Sequence, residues 1–145
     1  MLVRSDRTYH FDADPDTFWA AIGETGNYRA WWPWLRIFDA PDFEVGSRWT
    51  CVVQPPVPYR VRFAIDLDRI EPARLVTAAV SGDICGTACL RITPEGPGCA
   101  VHLLSELTPD NRLLRAAALL ARPIVRFGHD WVLDTGASQF GASAL

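Results

Sequence analysis

The chain has 145 residues, 49% of them apolar and 21% charged, and a net charge of −3. Those values fit one folded domain spanning residues 1–145 with a sizeable core. They argue against nucleic acid as a partner, because no basic stretch is interleaved with aromatics, and no apolar run is long enough for a membrane span.

The N-terminal MLVRSDRTYHF has no apolar signal core, so a cytoplasmic location is expected. Residues 2–11 read as a first strand. In DADPDTFWAAIG, Asp14 suits an N-cap, Pro15 the first helical position, and Phe18, Trp19 and Ile22 a buried side. Gly23 or Gly26 ends that helix. NYRAWWPWL gives a second short helical turn, halted by Pro33. Strands follow over residues 35–39 and 47–53, separated by the turn PDFEVG. QPPVP cannot sit inside a sheet and reads as a loop.

Residues 59–68 carry the cleanest period of two. Tyr59, Val61, Phe63, Ile65 and Leu67 point one way; Arg60, Arg62, Asp66 and Asp68 point the other. Such a strand has one buried and one wet face, as an antiparallel sheet requires. EPAR turns the chain into a strand over 75–81. Residues 84–93 and 99–107 then form a hairpin about PEGPG. With Ile92 opposite Val101 and Leu90 opposite Leu103, one face carries Ile84, Gly86, Ala88, Leu90, Ile92, Val101, Leu103, Ser105 and Leu107.

The remaining element is a long helix over residues 108–142. Thr108 is its expected cap, Pro109 its first residue, and Pro123 the place for a bend. Stepping about 100° per residue puts Leu113, Ala117, Leu120, Ile124, Phe127, Trp131, Thr135 and Ser138 on one stripe. His129 then falls about 160° from the stripe centre, and Asp130 about 100°. The order is strand, two short helices, about six strands and a long helix, which predicts a two-layer α+β domain with the helix covering one sheet face.

Four stretches, FDADPDTFWAAIG, YRAWWPWL, VSGDICGTACLRITPEGPGCAVHLLSEL and LLARPIVRFGHDWVL, together resemble the START-like (SRPBCC) superfamily of polyketide cyclases and lipid-transfer domains. The resemblance covers essentially the whole chain. It implies a helix-grip fold, a curved antiparallel sheet of six or seven strands wrapped around the long helix. It also implies a cavity there for a hydrophobic small molecule; the six tryptophans suit a ring-containing one, and no cofactor is expected. Trp49, Cys51, Tyr59, Val61, Phe63, Leu90, Leu103 and Ser105 would line the sheet side. Phe127, Trp131 and Thr135 would line the helix side, with Trp31, Trp32 and Trp34 near the mouth. Tyr28 and Tyr59, then Ser105 and Thr135, are the expected polar handles for a ligand.

The angular count turns His129 away from this space, so no nucleophile–base–orienter set is expected. His10 and His102 sit at a strand end and on an outer face. Cys51, Cys85, Cys89 and Cys99 have no metal-ligand spacing and read as small buried hydrophobes. Binding or transport of a hydrophobic ligand is the leading expectation. A cofactor-free cyclase, aromatase or dehydratase, and a partner-binding module whose cavity is filled by its own side chains, are the alternatives.

Overall fold

A computed structural model describes residues 2–56, 59–112, 114–116 and 122–145, with backbone alone for residues 122–125. The chain forms β1 (Val3–Phe11), α1 (Pro15–Gly23), a 3-10 turn (Thr25–Asn27), α2 (Tyr28–Trp31), β2 (Leu35–Asp39), β3 (Arg48–Val53) and β4 (Val61–Glu71). It continues through β5 (Leu75–Gly82), β6 (Ile84–Glu95) and β7 (Gly98–Pro109) to the last helix, α3 (Arg122–Ser143). All neighbouring strands are antiparallel, in the order β1-β7-β6-β5-β4-β3-β2. The seven-stranded sheet curves as a half-barrel about the C-terminal helix, the helix-grip fold.

Local chemistry accounts for the elements. The Asp14 side chain accepts the Thr17 N–H at 2.7 Å and caps α1, Pro15 opens it, and Phe18 and Ile22 are its buried residues. The backbone N–H of Trp32 closes α2 onto Tyr28 O, and Pro33 follows. β1 and β2 stand at opposite edges of the sheet, so α1 and α2 carry the chain from one edge to the other.

The β6–β7 register pairs Leu90 with Leu103 and Ile92 with Val101, as the alternation predicts. Its strands run further than expected, to Glu95 and Gly98, and the turn tightens to Gly96 and Pro97, with Gly96 at φ +55°. β4 begins at Val61 rather than Tyr59 and runs past Asp68, because a register shift between Leu67 and Arg69 lets the ladder continue where the period of two breaks.

Thr108 and Pro109 do not start a helix. They pair with Cys85 and Ile84 at the end of β7, where a proline sacrifices little of the ladder. The helical residues 112 and 114–116 are instead capped by Asn111, whose side-chain oxygen accepts the Leu114 N–H at 2.6 Å. The bend expected at Pro123 involves residues 117–121, which lie outside the described residues. So do the side chains of the stripe positions Leu113, Ala117, Leu120 and Ile124.

Two buried clusters hold the layers together. One gathers Tyr28, Leu35, Trp49, Cys51, Val53, Val61 and Leu67; the other gathers Phe18, Ile22, Ile92, Cys99, Val101 and Phe140. Cys51 and Cys99 are buried as expected, whereas Cys85 and Cys89 are only half-buried; all four are free thiols. Among the described residues no helix is long and apolar enough to cross a membrane.

Candidate ligand-binding site

The space between sheet and α3 holds two adjoining compartments that share Val53, Phe63, Ile65, Val132 and Leu133 as walls. The larger, about 340 Å³, lies under Trp32, Trp34 and Phe140 and is floored by Trp49, Cys51, Leu90, Val101 and Leu103. Its volume alone falls within the ~300–1,000 Å³ range of small-molecule sites. The smaller, about 210 Å³, is bounded by Pro55, Tyr59, Val61, Val80, Ala88, Ser105, Leu107, Gly128 and His129. Both are walled almost wholly by carbon.

The helix face that meets this space is Gly128, His129, Val132, Leu133, Gly136, Ala137 and Phe140. Glycine on that face lets rings approach the backbone. A Cβ at Gly128 would stand 2.5 Å from the Tyr59 hydroxyl, and one at Gly136 would stand 3.2 Å from the Trp34 ring. The segment after α2 is fastened to the same helix. Trp32 Nε1 donates to Gly136 O at 2.9 Å, and Trp34 Nε1 donates to Gln139 Oε1 at 2.8 Å.

The sheet-side expectations fall on these walls: Trp49, Cys51, Leu90 and Leu103 on the larger compartment, Tyr59, Val61 and Ser105 on the smaller, and Phe63 on both. The helix-side expectations do not. Phe127 is 52% exposed. Trp131 packs edge-on against Trp34, with ring centroids 6.2 Å apart, and neither it nor Thr135 lines a compartment. Trp31 is spent on Tyr28 and Phe140 rather than on the cavity. The contact face of α3 is therefore turned by one to two residues from the expected stripe. The uniform 100° count began at Leu113 and gave glycine no weight, whereas glycines are what this face presents.

His129 is the main correction. It faces the smaller compartment, and its Nε2 stands 3.2 Å from Ser105 Oγ. Its Nδ1 is 3.7 Å from Asp130 Oδ1, and its side chain is 18% exposed. Burial holds the imidazole below its ordinary value of 6.5, opposed by the neighbouring Asp130 carboxylate. Asp130 is in turn 3.1 Å from an Arg7 guanidinium nitrogen and 3.8 Å from Arg126 Nε. Asp134 accepts the Tyr9 hydroxyl at 2.6 Å.

Tyr28, expected as a polar handle, is buried at 6% exposure and donates its hydroxyl to Ile22 O, so that hydroxyl serves the fold. Tyr59 keeps its hydroxyl on the compartment wall, and burial pushes its phenol up. Among the described residues no cluster of His, Cys, Asp and Glu could hold a metal ion.

The sequence profile of the polyketide cyclase / dehydrase and lipid transport family matches residues 3–133. No curated protein sequence matches the chain. Solved structures match along nearly its whole length at low identity. A START superfamily protein from Mycobacterium smegmatis is 11% identical, with a TM-score of 0.75 over 97% of this chain and 96% of that one. The Zhui aromatase/cyclase from Streptomyces sp. R1128 is 12% identical, with a TM-score of 0.71 over 99% and 92%. Norcoclaurine synthase from Thalictrum flavum, in complex with dopamine and hydroxybenzaldehyde, is 11% identical, with a TM-score of 0.68 over 100% and 89%. At such identities the likeness is one of fold.

Proposed function

The chain belongs to the polyketide cyclase / dehydrase and lipid transport family of the START-like superfamily, and within it we propose that this protein binds a hydrophobic, ring-containing small molecule between its sheet and α3. The observation that carries the reading is the pair of adjoining apolar compartments, walled by Phe63, Trp32, Trp34, Trp49 and Phe140. Apolar surface leaving water drives such binding by about 25 cal/mol per Å² before ordering costs. Rings of Trp32, Trp34 and Phe63 offer faces and edges to a planar ligand. The role is sequestration or transport, without a cofactor, in the cytoplasm. Native mass spectrometry against polyketides, sterols and fatty acids tests it. A retained one-to-one complex with a ring-bearing class is expected, and no complex with any class would sink the reading.

Turnover of a polyketide-like substrate is the second reading, and Tyr59 is what favours it. A phenol kept protonated by burial, on the wall of an apolar compartment, is placed to donate a proton as a ring closes or water leaves. Turnover undiminished in Tyr59→Phe would remove that mechanism.

A further inference from the structure

Among the described residues, the polar side chains on the wall of the smaller compartment are Tyr59, Ser105 and His129. Two of them, Ser105 Oγ and His129 Nε2, satisfy each other at 3.2 Å. His129 Nδ1 and Asp130 Oδ1 stand 3.7 Å apart with no hydrogen bond between them, and the charge of the carboxylate favours the tautomer with the proton on Nδ1. Nε2 is then an acceptor, and Ser105 donates to it. The pair thus holds one donor and one acceptor, side by side, at the end of an apolar space.

A ligand oxygen entering between them must accept from Ser105 and donate to Nε2. A hydroxyl does both. A ketone or ester oxygen accepts only and leaves Nε2 buried and unpaired, which is unfavourable. Among the described residues a carboxylate meets no cation on the wall, and Arg7 and Arg126 are engaged by Asp130. Ser105 is also poorly placed as a nucleophile. Its strand is paired on both sides, with Ser5 and with Ala88, so the neighbouring backbone N–H groups are committed to the ladder and form no oxyanion site. Ser5 stands opposite Ser105, 1% exposed, with its hydroxyl unpartnered among the described residues. Cross-strand partners share a face, so this hydroxyl is spare hydrogen-bonding capacity beside the pair.

We propose that the Ser105–His129 pair recognises a hydroxyl group carried on a ring, as in a phenol or an enol. The smaller compartment seats the hydroxylated ring, and the larger takes the apolar remainder. This rests on the ligand-binding reading above and deepens it.

Calorimetric titration of the full chain with 2-naphthol and with 2-methoxynaphthalene separates the two claims. The ether keeps the ring and the oxygen but cannot donate. The wild type is expected to prefer 2-naphthol by about tenfold, the scale of one net hydrogen bond. Ser105→Ala removes a donor that both ligands can use and is expected to keep that preference, whereas His129→Leu removes the acceptor and is expected to bring it within about threefold. On the wild type, the His129 Nε2 nitrogen resonance should move with 2-naphthol and stay with the ether, a readout that needs no variant at His129. Equal affinities in the wild type, or a preference that survives His129→Leu together with an unmoved His129 Nε2 resonance, would overturn the hydroxyl proposal and leave the ligand-binding reading standing. Failure of both probes to bind would remove both.

Discussion

A neutral imidazole inside an apolar compartment makes stability depend on pH in one direction. The groups around His129 are Ser105 from β7, Asp130 and Arg126 on its own helix, and Arg7 from β1. Burial outweighs Asp130, so the folded value lies below the ordinary 6.5. In the window below 6.5 the unfolded chain binds more protons than the folded one. The stabilisation from His129 is therefore complete above about pH 6.5 and is lost as pH falls toward the folded value. Urea midpoints measured from about pH 8 to 5 should fall more steeply below about pH 6.5 for the wild type than for His129→Gln. Parallel profiles would show that burial does not hold the imidazole neutral. Ser105 was legible from the hairpin register as a polar break in an apolar face. His129 was not, because apolar periodicity centres the helix stripe on Phe127 and Trp131, about 160° from it, whereas the face that meets the cavity carries Gly128, Val132 and Leu133.

At the scale of the element, α3 is unlike an ordinary covering helix. Its contact face alternates small and large residues, Gly128, Val132, Gly136 and Phe140, so that rings from Tyr59 and Trp34 lie against its backbone. A count of apolar periodicity follows Phe127 and Trp131, which are bulky, and passes over glycines, which carry no side chain to count. Leu133 stands on the wall common to both compartments, whereas Phe127 is turned to solvent. Leu133→Trp should therefore overfill the space, costing about 1–3 kcal/mol of stability, and cut affinity for an aromatic probe more than tenfold. Phe127→Ala should leave stability within about 0.5 kcal/mol and affinity within about twofold. Chemical denaturation and calorimetry on the two variants check this, and the reverse order would mean that the expected stripe is the binding face after all.

At the scale of the whole molecule, the sheet was the legible part. Alternation in β4 and the pairing of Leu90 with Leu103 fixed which residues face inward, since a slip of one residue would have sent Phe63 and Ser105 to the outer face. The helix layer was legible in kind and not in rotation, because a helix can turn about its axis without disturbing the order of elements. What closes the cavity is long-range: the Trp32 and Trp34 donors meet Gly136 and Gln139 across about a hundred residues of chain, and no local pattern announces such a contact. The central claim is that a ring-bearing ligand occupies the space between sheet and α3. It is tested most directly by following amide and methyl resonances during titration with 2-naphthol. Saturable shifts are expected at Val53, Phe63, Ile65, Val132 and Leu133, the walls common to both compartments, with Ile37 and Phe127 unmoved. Shifts confined to the outer surface, or none that saturate, would contradict the account.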